Sequence, residues 1–152
     1  MRTDGDRFFT VDYVETFSNQ LAFRLAESHR LVSELYTKCL KPLGLRPVQA
    51  YALGILKDRK LCTPSEIASV LGISRPSVSN LLNRMERDKL VNRVPDKLNK
   101  KQIWIFATPE GLELVEEAYA LMGDVDKQLE AQLEINLSEL KSKLFLLGEF
   151  QE

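Results

Sequence analysis

The stretch from Thr63 to Arg93 constrains the fold more than any other part of this sequence, because it carries the signals for two helices joined by a tight turn. Thr63 is a suitable N-cap, Pro64 fits the first helical position, and Glu66 completes a capping box. Gly72 can adopt the positive φ that often ends a helix. The stretch therefore predicts a short first helix that begins after Thr63 and ends at Gly72.

A second helix is predicted to follow Ser74. Ser74 is a good N-cap, and the apolar residues that follow it are spaced as on one helical face. These apolar residues are Val78, Leu81, Leu82 and Met85. The offsets of Ala68, Gly72 and Val78 are typical of a helix-turn-helix, in which a small residue, a turn glycine and a packed β-branched residue follow one another.

The outer face of the second helix carries hydroxyl, amide and guanidinium groups, and no acidic residue before Glu86. Such a face suits the grooves of DNA, where side chains read base edges. The alternative is a solvated face on which Arg84 and Asp88 form an ion pair one turn apart. We favour DNA binding because the helix-turn-helix spacing is complete. The candidate DNA-binding residues of this helix are Ser74, Arg75, Ser77, Ser79, Asn80 and Arg84.

A β-hairpin is predicted directly after the second helix. Residues 90–94 and 102–106 are β-prone runs, and the loop between them, 95–101, is rich in lysine. A hairpin with a basic tip after a helix-turn-helix defines a winged helix, whose tip can reach phosphates or the minor groove. We therefore add four hairpin residues to the candidate DNA-binding set, namely Arg93, Lys97, Lys100 and Lys101.

Long amphipathic helices are predicted on both sides of the winged helix. The first runs from about Asp12 or Ser18 to Leu40, and a shorter helix follows from Pro47 to about Asp58. After the hairpin, Thr108 caps a helix of some 20 residues, and a last helix starts at Ser138. The predicted fold class is mainly α with a small β-hairpin wing. We assign residues 1–45 and 109–152 to a helical dimerisation region and residues 46–108 to a winged helix-turn-helix DNA-binding domain.

The charge distribution supports this division. Residues 63–104 contain 8 Lys and Arg against 4 Asp and Glu, which gives a net charge of +4. Residues 105–152 contain 3 Lys and Arg against 11 Asp and Glu, which gives −8. Because salt screens charge beyond ~10 Å, the local balance at the helix-turn-helix matters more than the net charge of −1.

Several classes of protein are disfavoured by the sequence. No apolar run approaches the ~18 residues of a membrane-spanning helix, and the first ten residues lack the apolar core of a signal peptide. Cys39 and Cys62 are too few for a disulfide framework. No metal-binding cluster, phosphate-binding loop or cofactor motif is found, and His29 is the only histidine. We expect a cytoplasmic protein that is not an enzyme and has no metal or cofactor.

With these motifs, the sequence resembles the multiple-antibiotic-resistance regulator (MarR) family of bacterial transcription factors, from about Leu21 to the C-terminus. The matching segments are Leu45 with Gln49 and Leu53, Glu66–Ala68, Leu71–Ser74, Val78–Ser79, Met85–Glu86, Leu90–Arg93, Asp96 and Thr108–Gly111.

The sequence departs from the family pattern at three places. Lys89 stands where the family usually has glycine, and Ala107 replaces the usual leucine before the threonine. The wing pattern Asp-x-x-Asp-Arg-Arg appears here as Asp96-Lys97-Leu98-Asn99-Lys100-Lys101. The resemblance therefore does not carry over a family-type wing salt bridge or an arginine contact in the minor groove.

The resemblance implies a homodimer that binds double-stranded DNA at a pseudo-palindromic operator, as a repressor whose affinity a small aromatic ligand modulates. His29, Tyr36 and Tyr51 are the candidate ligand-binding residues, and Trp104 is a further aromatic candidate. Two alternatives remain. The winged helix could bind another protein instead of DNA, or Cys39 or Cys62 could make the chain a redox-sensing regulator.

Overall fold

The computed structural model describes residues 19–149, which form six α-helices, a short 3-10 helix (Lys41–Leu43) and one two-stranded sheet. The described chain divides between Glu34 and Leu35 into two compact units, and the first helix runs through this boundary. The elements are α1 (Leu21–Leu40), α2 (Pro47–Arg59), α3 (Pro64–Leu71), α4 (Arg75–Arg87), β1 (Val91–Pro95), β2 (Ile103–Ala107), α5 (Pro109–Leu133) and α6 (Leu137–Gly148). None of these helices is long and apolar enough to cross a membrane.

The element order confirms the predicted fold class, with small shifts in the boundaries. Helix α1 ends at Leu40 as predicted but begins at Leu21, and the predicted starts at Asp12 and Ser18 lie outside the described residues. Helix α6 begins one residue earlier than predicted, because Asn136 supplies its N-cap. The Asn136 side chain accepts a hydrogen bond from the backbone N–H of Glu139 at 2.9 Å.

Within the first unit, an ion pair lies along α1. Arg24 Nη1 lies 3.1 Å from Glu27 Oε2, one turn away. Such an i,i+3 pair contributes only a few tenths of a kcal/mol to helix stability.

The helix-turn-helix forms as its capping residues predict. The backbone N–H of Thr63 donates to Glu66 Oε2 at 2.7 Å, and the backbone N–H of Glu66 donates back to Thr63 Oγ1 at 3.3 Å. Gly72 adopts φ 64° after α3, in the left-handed region that glycine enters at little cost. Ser74 then caps α4, and its Oγ accepts from the backbone N–H of Ser77 at 3.3 Å.

The two strands form an antiparallel hairpin in which Val91 pairs with Ala107 and Pro95 with Ile103. Both strands start one residue later than predicted. Strand β1 does so because Leu90 is used to end α4. Its backbone N–H donates to Met85 O at 2.8 Å, while its side chain is buried. Cys62 adds a single bridge to the hairpin, formed by two hydrogen bonds with Ile105.

The turn between α4 and β1 shows how the sequence accommodates a missing glycine. Lys89 adopts φ 60°, in the left-handed region where a residue with a Cβ costs roughly 1–2 kcal/mol. The backbone hydrogen bonds that end the helix form all the same, including Lys89 N–H to Glu86 O at 3.0 Å. Helix α4 therefore ends in the geometry that a glycine would favour, although lysine occupies the position.

The hydrophobic core lies in the second unit, and helices α2, α3, α4 and α5 and both strands contribute to it. Fully burying one large aliphatic side chain contributes roughly 1.5–3 kcal/mol. The largest fully buried residues of these elements are Leu53, Leu56, Ile67, Val78, Leu82, Met85, Val91, Ile105 and Val115.

Helix α5 packs closely against the end of α4 at Gly111. A Cβ at this position would lie 2.4 Å from the carbonyl oxygen of Leu90 and 3.0 Å from Leu53 Cδ2. Since the nearest of these atoms belongs to the backbone and cannot swing aside, only glycine permits this approach. The first turn of α5 is thus held directly against the start of β1.

Candidate nucleic-acid interface

The outward face of α4 is as open as the sequence predicts. Helix α4 buries Val78, Leu81, Leu82 and Met85. The opposite side of the helix remains exposed, with hydroxyl, amide and guanidinium groups available to an external partner. The exposed predicted residues are Ser74, Arg75, Ser77, Ser79, Asn80 and Arg84.

The two serines at the start of α4 are held by the cap itself. The hydroxyl oxygens of Ser74 and Ser77 lie 2.8 Å apart, in addition to the capping bond to the backbone N–H of Ser77. A hydroxyl oxygen has two lone pairs and one proton, so each can still engage a further partner. These bonds restrict the orientation of both side chains at the amino-terminal end of the helix.

An open groove of about 700 Å³ runs beside α4, between this helix and the start of α2. Asn80 and Arg84 line it, as do Arg46 and Arg87. Neither Arg46 nor Arg87 was among the residues predicted from the sequence. The available signal was the position of Arg46 directly before Pro47, at the amino-terminal end of α2, where an anion is favoured.

The ion pair offered as an alternative for α4 does not form between the residues considered. Asp88 lies 3.3 Å from Arg87 Nε, a pair of adjacent and largely exposed residues. Such exposed pairs contribute little to stability. Arg84 lines the groove beside Asn80. Three arginines and one carboxylate, that of Asp88, therefore line the groove, so its net charge is positive.

Arg93 lies mainly between the hairpin and α4. Its Nη2 donates to Asn83 Oδ1 at 2.5 Å, and its Nε lies 3.1 Å from Glu86 Oε2. The Nε–Glu86 contact is an ion pair without hydrogen-bond geometry, and Nε is buried with no hydrogen-bond partner among the described residues. Arg93 was predicted as a DNA contact. Its contacts with Asn83 and Glu86, which join β1 to α4, were not predicted.

The tip of the wing is organised by Asp96. Its Oδ1 accepts hydrogen bonds from the backbone N–H groups of Leu98 at 2.7 Å and Asn99 at 2.9 Å, and its Oδ2 accepts one from Trp104 Nε1 at 2.8 Å. These hydrogen bonds, the Trp104 bond first, lower the pKa of the Asp96 carboxyl below its usual value. Trp104 therefore belongs to the wing, and this role of the carboxylate was not predicted.

The three wing lysines surround this ordered tip. Lys97, Lys100 and Lys101 are all exposed, and no ion pair holds them within the described part of the chain. The Asn99 side chain accepts from the backbone N–H of Lys101 at 3.2 Å, which orders the backbone between them. The tip thus presents cationic groups on a fixed backbone.

A second polar cluster lies in the same unit, around Asp126 of α5. The Tyr36 hydroxyl donates to Asp126 Oδ1, and Lys141 of α6 pairs with Asp126 Oδ2. Burial and then the nearby Asp126 raise the pKa of both Tyr36 and Tyr51. Two of the three candidate ligand-binding residues are thus close to one carboxylate, and His29 belongs to the other unit.

The two cysteines lie in surroundings that disfavour the thiolate. Cys62 is buried, and Cys39 is half-buried and donates to the backbone oxygen of Tyr36 at 3.2 Å. Burial raises the pKa of both thiols, whereas a reactive cysteine needs a lowered pKa. Among residues 19–149, no group of His, Cys, Asp and Glu side chains could hold a metal ion.

Helix α4, the cationic groove and the basic wing together define a winged helix-turn-helix protein of the DNA-binding type. A model of the MarR family matches residues 43–102, which cover the groove, the helix-turn-helix and most of the wing. This match supports a winged-helix regulator of the MarR family.

Two characterised proteins are similar over most of their length. The organic hydroperoxide resistance transcriptional regulator of Bacillus subtilis is 29% identical over 131 residues, which cover 86% of this chain and 88% of that protein. The homoprotocatechuate degradative operon repressor of Escherichia coli is 26% identical over 132 residues, which cover 87% of this chain and 88% of that protein.

Solved structures share the fold. A mutant of MarR from E. coli complexed with operator DNA superimposes with a TM-score of 0.73 at 22% identity, and covers 85% of this chain and 91% of its own. BpsR of Bordetella bronchiseptica, whose DNA binding is regulated by 6-hydroxynicotinic acid, superimposes with a TM-score of 0.76 at 20% identity, and covers 88% and 94%. These likenesses confirm the winged-helix fold that the sequence predicts.

The Asp96 network makes the wing sensitive to acid. Because the folded state lowers this pKa, the contacts contribute at pH values above the ordinary carboxyl value of 3.8 and are lost as the pH falls below it. Trp104 is the only tryptophan of the chain, so its fluorescence reports on the wing. We expect a red shift of its emission below that pH, before the helical circular dichroism signal is lost.

The matched control is Asp96→Asn, which keeps an acceptor oxygen but cannot ionise. Its tryptophan emission should not depend on pH in this range. An identical acid transition in the wild type and in Asp96→Asn would show that another group controls the wing.

Proposed function

We propose that this protein is a sequence-specific transcriptional regulator, and that it represses by binding a pseudo-palindromic DNA operator as a homodimer. The observation that carries the proposal is the exposed face of α4, which joins a cationic groove on one side and a basic wing on the other. The relative from E. coli is described as an operon repressor, which supports the sign of regulation.

The chemistry of α4 suits direct reading of bases. An α-helix fits the major groove of B-DNA, and Asn and Arg can each bond two atoms of one base, adenine and guanine respectively. Asn80 and Arg84 stand one turn apart on the exposed face and line the same groove. We assign these two side chains to base contacts.

The wing and the groove arginines suit the phosphate backbone. Each phosphate neutralised by a lysine or arginine releases counterions, which makes binding salt-dependent without regard to sequence. Lys97, Lys100 and Lys101 are exposed on a fixed tip, and Arg46 lies at the positive end of α2. We assign these four residues to backbone contacts.

This division of labour can be measured on a duplex selected from random DNA by the wild-type protein. Arg84→Ala and Asn80→Ala should each lose roughly 1–3 kcal/mol of discrimination between the selected sequence and a scrambled one. Lys100→Ala should weaken binding to both sequences and reduce the slope of log affinity against log salt by about one.

The matched control is Lys127→Ala, which removes an exposed lysine of α5 that is paired with Asp124. It should leave affinity and salt slope unchanged. If Arg84→Ala and Lys100→Ala changed the salt slope and the discrimination equally, the assignment of base and backbone contacts would be wrong. A wild-type protein that selects no sequence would contradict the proposed function as a whole.

A homodimer is supported by the apolar surface at the end of the chain. Helix α6 has no buried side chain, although six of its residues are large and apolar, and five of these are exposed. These residues are Leu140, Leu144, Phe145, Leu146 and Leu147. A second copy would cover this surface, and a two-fold dimer would place two α4 helices about one turn of DNA, ~34 Å, apart.

The dimer can be tested by a charge on this surface. Phe145→Glu should weaken dimerisation at least roughly tenfold, because a carboxylate would be desolvated at the interface. Sedimentation measures the change, and DNA affinity should fall with it. Lys143→Ala, on the polar side of the same helix and paired with Glu139, should leave the dimer intact. A wild-type protein that sediments as a monomer at micromolar concentration would contradict the dimer.

Modulation by a small aromatic ligand is supported by the cluster around Asp126. An aromatic acid could compete with Asp126 for Lys141, and a phenol could compete with Tyr36 for Asp126, so either could alter the contacts that join α1, α5 and α6. The Bordetella structure concerns an aromatic acid that regulates DNA binding by a protein of the same fold. His29 stays a candidate in this proposal.

Ligand control can be tested by transcription and by the mutual effect of effector and DNA on each other's binding. Run-off transcription from a promoter that carries the selected sequence should fall when the protein is added and recover with an effector from a panel of phenols and aromatic acids. A coupling of about 1–3 kcal/mol changes DNA affinity roughly 5- to 150-fold, and the effector must bind the DNA complex more weakly by the same factor. A panel that changes neither DNA affinity nor thermal stability would contradict ligand control.

A further inference from the structure

The tip of the wing carries an apolar side chain at its most accessible point. Leu98 is 100% exposed, whereas Phe145, the next most exposed large apolar residue in the described chain, is 66% exposed. Single exposed apolar residues are common and need no function. The position and the surroundings of Leu98 set it apart.

The backbone at Leu98 is fixed. Its N–H donates to Asp96 Oδ1 at 2.7 Å, and the same carboxylate holds Asn99 and Trp104. The base of the loop is closed by the Asp96 N–H, which donates to Gln102 O at 2.9 Å, and by the Gln102 N–H, which donates to Asn99 O at 2.8 Å. A side chain on such a backbone loses less freedom on binding than one on a mobile loop.

The charges around Leu98 define the partner that this tip fits. Lys97, Lys100 and Lys101 flank the leucine, and all three are exposed. An apolar protein surface that covered the leucine would also have to desolvate these ammonium groups, which is costly. The minor groove of DNA offers the matching combination, because its rims are phosphates and apolar side chains are accommodated between them.

We propose that Leu98 is a DNA-contacting residue, which enters the minor groove beside the half-site read by α4 and packs against the sugar walls while the neighbouring lysines pair with phosphates. This inference rests on the proposed function and adds an apolar contact to it. The contact strengthens binding without neutralising a phosphate, so its contribution to affinity is independent of salt.

The experiment compares two substitutions of similar size. Leu98→Met keeps an apolar side chain, and Leu98→Asn replaces it with a polar one. Binding is measured by fluorescence anisotropy on a duplex of about 40 base pairs that the wild-type protein selects from random DNA, long enough to extend beyond both half-sites. A second, trimmed duplex ends at the outer edges of the half-sites, so that the wing has no minor groove to enter.

On the long duplex, Leu98→Asn should bind roughly 5- to 30-fold more weakly than the wild type, since most of one leucine would lose its apolar contact. Leu98→Met should stay within about twofold of the wild type, and neither change should alter the salt slope, in contrast to Lys100→Ala. On the trimmed duplex, the difference between Leu98→Asn and the wild type should disappear. Unchanged thermal unfolding and Trp104 emission show that the wing is intact.

Two results would overturn the inference. Leu98→Asn could bind the long duplex as well as the wild type does, which would make Leu98 a solvated residue or a contact for a protein. Alternatively, the loss could be equal on both duplexes, which would place the effect elsewhere than in the flanking groove. Both results presuppose that the wild type binds DNA, so they are distinct from a failure of the proposed function.

Discussion

The contact on which the arrangement of α4, the wing and α5 depends is the side chain of Thr108. This buried threonine accepts the backbone N–H of Gly111 at 3.0 Å, which caps α5, and donates to the backbone oxygen of Lys89 at 2.8 Å. Its own backbone N–H donates to Leu90 O at 3.0 Å. One residue thus joins the end of α4, the start of the hairpin and the start of α5. Gly111 permits the close approach, because any Cβ there would meet the Leu90 carbonyl.

Helix α5 connects the junction at Thr108 with the polar cluster around Asp126, and both ends belong to the same unit of the structure. A change in the contacts of Asp126 therefore acts on a helix whose first turn is bonded to the end of α4. Arg93 adds a second tie, from β1 to Asn83 and Glu86. Since α4 and the hairpin are tied at both points, they are expected to move together. In the homodimer that we propose, the spacing between the two copies of α4 is the quantity that an effector could change.

The sequence predicts the parts of this structure that local chemistry determines. The capping box at Thr63, the turn at Gly72 and the buried face of α4 all follow from residues a few positions apart, and the structure confirms them. Contacts between distant residues carry no such local signal. The bond between Asp96 and Trp104 depends on the register of the hairpin, and the approach of Tyr36 to Asp126 spans most of the chain. The predicted start of β1 was wrong by one residue, because periodicity cannot show that Leu90 is needed to end a helix.

The charge of the protein is unevenly distributed along the chain, which bears on how the protein would approach DNA. The segment that contains α4 and the wing carries a net charge of +4, and the segment that contains α5 and α6 carries −8. A polyanion is attracted to the first and repelled by the second, but only within ~10 Å at moderate salt. At that range the electrostatic field attracts DNA toward α4 and the wing, but it does not distinguish one DNA sequence from another. Specificity must then come from short-range contacts at fixed positions, which is why the ties at Thr108, Arg93 and Asp96 matter. They fix the positions of Asn80, Arg84 and the wing tip, which we propose as DNA contacts, whereas the charge determines only which side of the protein approaches DNA first.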